Sequence, residues 1–238
     1  MNTFGFIGGG RIVRILCKGF HAAGSLPSAI VYDSSSEALQ KISADIPGVK
    51  TTAVLDEVID AQYLILAVHP QAMAQTADAV RGKLNAKTVV LSLSPKIGIA
   101  KLQDLLGGHR LVARMNPNAP SLVNRGFNPV AFADGFDEGR KNELLELFAP
   151  LGKNPVVEDG LIDAFAVVTA MGATYLDYQI ALLKDMAVSF GVPEELAKEG
   201  VFTLAEGIAN TVLFAETGEN PLDLVPVRPL KEIEEQVS

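Results

Sequence analysis

Phe4-Gly5-Phe6-Ile7-Gly8-Gly9-Gly10-Arg11-Ile12-Val13 decides the fold of this chain: a short apolar run breaks into three glycines and resumes with helical spacing. The order is strand, tight turn, helix. Glycine at Gly8 and Gly10 lets the backbone turn sharply and lets its amides approach a diphosphate that a Cβ would hold off. Behind the turn, Ile12, Ile15, Leu16 and Phe20 fall on one helical face and Arg11, Arg14, Lys18 and His21 on the other, until Gly24 ends the pattern. The third position of the glycine fingerprint holds Val13 rather than glycine or alanine. A second strand-like run, Ala29-Ile30-Val31-Tyr32, ends at Asp33, where an acidic residue meets the ribose of a bound dinucleotide. Gly8, Gly9, Gly10, Arg11, Ile12, Asp33, Ser34 and Ser35 are therefore expected to bind a cofactor.

Outward from this turn, strand-like and helical runs alternate for about 150 residues, the pattern of a parallel sheet with covering helices. Further strands are expected at Val49 to Ala53, Tyr63 to Val68, Thr88 to Leu93, Arg110 to Met115, Pro129 to Ala133 and Asn154 to Val157. Helices are expected at Ser36 to Ile46, Leu55 to Ile59, Ala72 to Leu84, Ile99 to Leu106 and Asp137 to Ala149. Ligands of such sheets lie beyond the carboxyl ends of the strands, so the loops at Gly8, Asp33, His69, Ser94 and Asn116 should share one rim. Near residue 159 the strand-like runs stop. Two long helices follow, Leu161 to Phe190 and Pro193 to Glu216, the first apolar on nearly every side and so expected to be buried all round, against a second copy of the chain. The fold class is thus α/β, a Rossmann-type doubly wound, mainly parallel sheet in residues 1–158 with an all-helical dimerisation domain in residues 159–238.

With 238 residues and 48% hydrophobic content the chain can bury a substantial core. A net charge of −8 and the lack of a basic run argue against nucleic acid as a partner. Phe165 to Leu183 is interrupted by Thr169, Thr174, Asp177 and Gln179, too polar for a membrane-spanning helix, and Arg11 and Arg14 interrupt any leader-like run, so a cytoplasmic location is expected. Cys17 is the sole cysteine and sits on the inward side of the first helix, where packing explains it. His21, His69 and His109 are scattered, so no metal is expected.

Four segments of the sequence resemble the pyrroline-5-carboxylate reductase family. Phe4-Gly5-Phe6-Ile7-Gly8-Gly9-Gly10 looks like its opening loop, and Leu66-Ala67-Val68-His69-Pro70-Gln71 looks like its Ala-Val-Lys-Pro-Gln segment with His69 for lysine. Pro117-Asn118-Ala119-Pro120-Ser121-Leu122-Val123 is similar to its Pro-Asn-Thr-Pro-Ala-Leu-Val, and Glu216-Thr217-Gly218-Glu219-Asn220-Pro221 to its Glu-Thr-Gly-Glu-His-Pro. The resemblance implies a Rossmann-type domain, a helical domain that dimerises, and NAD(P)H-dependent reduction of a cyclic imino acid to proline. It adds Val68, His69 and Pro70 to the expected cofactor-binding residues. The departures are equally plain. Thr169-Ala170-Met171-Gly172-Ala173-Thr174-Tyr175 stands for the family's Ser-Gly-Ser-Gly-Pro-Ala-Tyr, and the Ser-Pro-Gly-Gly-Thr-Thr loop that holds the substrate carboxylate is replaced by Leu222 to Val225 running into Pro226-Val227-Arg228-Pro229. By this comparison the chain is a divergent, C-terminally shortened member.

Hydride transfer asks the protein for position, a dry pocket and a proton source rather than for a nucleophile. Asn118, between two prolines at a strand end, is expected either to orient nicotinamide or substrate, in which case it also touches the cofactor, or to shape its loop as an Asx turn. Lys96 stands where the family has glycine, on the ligand rim, and can pair with a carboxylate or donate a proton; the alternative is a solvated surface lysine. Thr174 on the long helix can donate to the substrate or pack locally, and Arg228 is a candidate carboxylate clamp in place of the absent loop. Asp33 favours NAD, while the resemblance implies small hydroxylated residues that hold the phosphate of NADP, a role open to Ser34, Ser35 and Ser36; the cofactor is NADP or NAD, the resemblance leaning to NADP. A reductase acting on a C=N bond is the leading reading. The alternative is a catalytically inactive nucleotide-binding paralogue with a regulatory or assembly role, and a deazaflavin-dependent reductase is a third.

Overall fold

A computed structural model describes residues 3–214. The chain divides into two compact units, the first ending at Ala173 and the second starting at Thr174.

The first unit is a seven-stranded sheet with helices on both faces. Its strands are β1 (Phe4–Ile7), β2 (Ala29–Tyr32), β3 (Lys50–Thr52), β4 (Tyr63–Leu66), β5 (Val89–Ser92), β6 (Val112–Met115) and, beyond the short β7 (Gly126–Phe127), β8 (Val130–Phe132). They lie in the order β3-β2-β1-β4-β5-β6-β8, all parallel except β8, which runs antiparallel to β6. The chain adds β2 and β3 on one side of β1, then crosses to add β4, β5 and β6 on the other. The order therefore reverses between β1 and β4, where Ile7 pairs with Leu66, and a crevice opens beyond their carboxyl ends.

These strands form because their runs are apolar on both sides, as a sheet covered on two faces demands. On β4, Tyr63 and Ile65 enter one core and Leu64 and Leu66 the other, the period-two alternation of a strand. On the first face Phe4, Phe20 and Phe148 meet with ring centroids 5.5–5.9 Å apart. The covering helices include α1 (Arg11–Ala22), α2 (Ser36–Asp45), α3 (Asp56–Ile59), α4 (Met73–Arg81), α5 (Ile99–Leu105) and α6 (Glu138–Phe148). Helix α1 buries Val13, Leu16, Cys17, Gly19 and Phe20. That face is shifted from the expected one: Leu16 and Phe20 are buried as expected, but Val13 and Cys17 join them while Ile12 and Ile15 are half-buried, Ile12 packing against the core and also bordering the rim. Gly19 permits a close approach of its own: a Cβ there would come within 2.3 Å of the Ser121 carbonyl oxygen in the Ala119–Val123 segment.

Asn154 to Val157 forms no named strand; Val156 makes an isolated parallel bridge to Val130, and β9 (Gly152–Lys153) pairs with β7. Helix α7 (Asp159–Phe165) follows and packs on the sheet through buried Ile162. The long helix expected from Leu161 to Phe190 is not uniform: α7 passes through a π-helical turn, Ala166–Met171, before α8 (Gly172–Ser189). Within the turn Thr169 donates its hydroxyl to the Phe165 carbonyl at 2.8 Å, and its own carbonyl accepts from Asn118 Nδ2 at 3.2 Å. A carbonyl freed from the regular helical ladder thus finds a partner in another loop.

The second unit contains α8 from Thr174 onward and α9 (Glu194–Phe214). Its described side chains are almost all exposed, including Phe190, Phe202, Ile208 and Leu213.

Candidate functional site

The site grows from the turn after β1. Gly8 has φ +103°, a conformation that L side chains rarely adopt, and a Cβ there would lie 2.6 Å from the Ala67 carbonyl oxygen. Gly8 is thus required twice over, by backbone conformation and by contact. Its amide donates to the Tyr32 carbonyl at 2.8 Å, tying the turn to β2. Gly9 donates to Asp33 Oδ2 at 2.7 Å and is wedged against Ile42. Gly10 differs from both: φ is −70° and nothing lies within 4 Å of a Cβ built on it. Its role is neither conformational nor packing. Gly10 opens α1 without a capping side chain, leaving the first amides of a twelve-residue helix directed into open space. Amides so oriented, at the positive end of a helix dipole, suit a diphosphate.

Two cavities flank this turn and share Val68. One, about 280 Å³, is bounded by Ile7, Gly8, Tyr32, Asp33, Ser34, Leu55 and Val68 with the start of α4. The other, about 700 Å³, is bounded by Gly10, Arg11, Ile12, residues Ala67 to Gln71, Leu93, Pro95 and Lys96. The expected cofactor-binding residues of the first two strands and of the Val68-His69-Pro70 segment thus border this pair of cavities, with the exceptions of Gly9, whose amide is taken by Asp33, and Ser35. Ser35 serves as the N-cap of α2, its Oγ accepting from the Ala38 amide at 3.3 Å. His69 also caps, its Nδ1 accepting from the Gln71 amide at 3.4 Å. The shape fits a dinucleotide: two cavities flank a glycine turn whose helix starts without a capping side chain, with Arg11 and Lys96 as the cations of the larger one and no Asp or Glu on its wall. At the next strand ends, Ser94 Oγ and Asn116 Nδ2 are buried without a hydrogen-bond partner among the described residues, polar groups that a ligand or water would satisfy.

Lys96 stands on the rim with φ +68°, one of two non-glycine residues in the left-handed region among the described residues. That is the conformation glycine supplies without strain, which gives the resemblance's glycine at this position its physical reason. The strained backbone is held from outside. Lys96 N donates to Asp163 Oδ1 at 3.0 Å and Ile99 N to Asp159 Oδ2 at 2.9 Å, so two acidic side chains of α7 hold both ends of the Lys96 to Ile99 segment. The same acids grip Arg114 of β6: Nη1 to Asp159 Oδ1 at 2.6 Å and Nη2 to Asp163 Oδ1 at 3.0 Å. Arg114 is 1% exposed and ranks among the largest fully buried side chains.

Arg114, Asp159 and Asp163 escaped the sequence reading. Two signals for them exist: an arginine inside the apolar run Val112-Ala113-Arg114-Met115, and two aspartates four apart on one helical face. Asn118 has its side chain occupied by the protein. Nδ2 donates to the Thr169 carbonyl, Oδ1 accepts from Phe127 N at 3.2 Å, and the residue is 6% exposed. It clamps two loops together rather than forming a local Asx turn. Thr174 is the first residue of the second unit and is exposed; Arg228 lies outside the described residues, as does the stretch from Glu216 to Pro221. Among the described residues no cluster of three or more His, Cys, Asp or Glu converges.

Cys17 is buried, and desolvation pushes its thiol up to about 12. It stays neutral and takes no part in the crevice.

Residues 3–95 match the family described as NADP oxidoreductase coenzyme F420-dependent. The chain is 28% identical over 228 residues to a pyrroline-5-carboxylate reductase of Corynebacterium melassecola, covering 94% of this chain and 84% of that one. It is 26% identical over 196 residues to the enzyme of that name from Pisum sativum, covering 82% of this chain and 71% of that one. Among solved structures, a pyrroline carboxylate reductase of Plasmodium falciparum with NADP bound superposes with a TM-score of 0.79 at 19% identity, over 99% of this chain and 90% of that one. Along most of its length the chain is similar in sequence to pyrroline-5-carboxylate reductases, and it shares the fold of a solved one.

Proposed function

We propose that the chain is an NAD(P)H-dependent reductase of a C=N bond, acting on a cyclic imino acid such as 1-pyrroline-5-carboxylate to give proline. The observation that carries this reading is the pair of cavities meeting at Val68 around an open glycine turn, the larger one cationic. The reduced nicotinamide, when bound, supplies the hydride. The protein supplies binding and electrostatics. Amides of Gly10, Arg11 and Ile12 hold the diphosphate, Gly8 keeps the loop close to β4, and Val68 separates the two halves of the ligand. A protonated imine is already electrophilic, so the remaining need is an anchor for the substrate's carboxylate.

Lys96 is our choice for that anchor. Its ammonium borders the larger cavity, and Asp163 fixes its backbone in the strained conformation that sets the direction of the side chain. Thr174 remains a candidate hydroxyl donor and Arg228 a candidate second carboxylate contact. Asn118 we assign to shaping the loop, since both ends of its amide are engaged.

We infer further that the protein is a homodimer through its second unit and works in the cytoplasm. The support is the run of exposed apolar side chains on α8 and α9, too extensive for a chain that stays single. The span Asp159–Ser189 is long and apolar enough to cross a membrane by composition. The pairing of Asp163 with Arg114, and Asp177 midway along, favour a protein partner over lipid.

The test is oxidation of NADH and of NADPH with 1-pyrroline-5-carboxylate. Turnover is expected, and Lys96→Gly should raise KM for the imino acid by about tenfold or more, as loss of a charge-assisted contact does. Cofactor binding without turnover would replace this reading with the inactive paralogue.

A further inference from the structure

We propose that the chain selects NADH over NADPH and that Asp33 makes the choice. The inference rests on the reading of the crevice as a dinucleotide site and names which dinucleotide.

Asp33 is held rigidly at the end of β2. Its Oδ2 accepts from Gly9 N at 2.7 Å and its Oδ1 from Ser35 N at 2.8 Å. Each carboxylate oxygen has a second lone pair, and the side chain borders the smaller cavity. A ribose with free hydroxyls donates to such a carboxylate, and a hydrogen bond to a charged group is the stronger kind. A ribose bearing a 2′-phosphate presents about −1.5 to −2 charge to the same oxygens and has no proton to give at that position.

NADPH would then need a compensating cation, and the cavity provides none. Its wall carries Asp33, Ser34, Gln75 and Thr76 among apolar residues, with no Lys, Arg or His. The cations of this flank are engaged elsewhere: Lys41 Nζ with Glu37 Oε1 at 2.5 Å, Lys18 Nζ with Asp45 at 2.9 Å, and Arg14 with the same Asp45. Arg11 borders the other cavity. Of Ser34, Ser35 and Ser36 only Ser34 borders this cavity, and Ser35 is engaged elsewhere, its amide binding Asp33 and its Oγ capping α2; the one other aliphatic hydroxyl on the wall is that of Thr76, which is likewise uncharged. Neither hydroxyl offsets a carboxylate.

The experiment is calorimetric titration of the full chain with NADH and, separately, NADPH at one fixed ionic strength. NADH should bind about tenfold more tightly or better, one charged hydrogen bond gained and one repulsion avoided. Asp33→Asn removes the charge but keeps an acceptor for Gly9, and should bring the two affinities within about threefold of each other by weakening NADH and strengthening NADPH. Ser34→Arg leaves both Asp33 bonds in place and should tighten NADPH while sparing NADH, which keeps the test decisive if the first variant folds poorly. Equal or tighter binding of NADPH by the unaltered chain overturns the inference and leaves the dinucleotide reading intact. So does an unchanged ratio in both variants. Binding of neither cofactor overturns the dinucleotide reading and the inference with it. A preference for NADH without reduction of 1-pyrroline-5-carboxylate upholds the inference and removes only the substrate assignment.

Discussion

The two units of the chain treat their apolar residues in opposite ways. In the first, Phe4, Phe6, Leu64 and Leu66 are wholly excluded from water by helices folded back over the sheet from the same chain. In the second, α8 and α9 carry residues as apolar and leave them exposed, Tyr178 at 70% and Phe202 at 69%. At roughly 25 cal/mol per Å² of apolar surface, side chains of this size left in water forgo about 1.5–3 kcal/mol each. A domain with its core inside itself can be altered at one point and lose a little; an exposed apolar surface gains that stabilisation only from whatever covers it.

The sharpest way to break this contrast is to charge the second unit. Phe202→Glu together with Ile208→Glu should abolish self-association in sedimentation experiments while leaving cofactor binding by the first unit measurable. Continued dimerisation would mean that the exposed helices are not the contact.

Gly8→Val probes the first unit at its least tolerant point. The positive φ and the clash with the Ala67 carbonyl together should cost about 3 kcal/mol or more, read as a lower denaturation midpoint with cofactor binding lost. Retained binding would remove the turn from the site.

Arg114→Met is expected to have a smaller effect. Removing one partner of a buried ion pair costs about 3–5 kcal/mol, and because Asp159 and Asp163 keep 34% and 49% side-chain exposure the loss should be nearer 2 kcal/mol. The same variant should raise KM for the imino acid severalfold through a loosened Lys96 to Ile99 segment, with affinity for the adenosine half unchanged; an unchanged KM would restrict Arg114 to stability.

The smallest effect is a pH dependence. Burial raises the thiol of Cys17 to about 12 in the folded chain, above its ordinary value of 9.0. Stability from the neutral thiol is complete below the unfolded value and declines as pH rises from about 9 toward 12, because only the unfolded chain then loses the proton. Urea melts should show a loss of about 1 kcal/mol between pH 8 and pH 10 that Cys17→Ala lacks.

Much of the fold was legible in the sequence. Alternating runs of Val, Ile and Leu marked each main strand of the sheet within a few residues, and the glycine turn located the crevice. Less of the site was legible. Gly10, read as part of the tight turn, has φ −70° and only open space where a Cβ would stand, Gly9 proved to hold Asp33, and Asn118 proved to clamp loops. Arg114 passed unremarked, because nothing local says that its partners wait 45 and 49 residues away.

The sequence by itself determined where the chain turns, which segments are strands or helices, and which helices have no inward side. Those properties depend on backbone conformation and on spacing between near neighbours. Tertiary structure alone decided that Asp33 reaches Gly9, that Asp163 holds Lys96 across 67 residues, and that Arg114 joins α7 to the sheet. A charged or polar side chain can accept many partners, and only packing brings one of them within 3 Å.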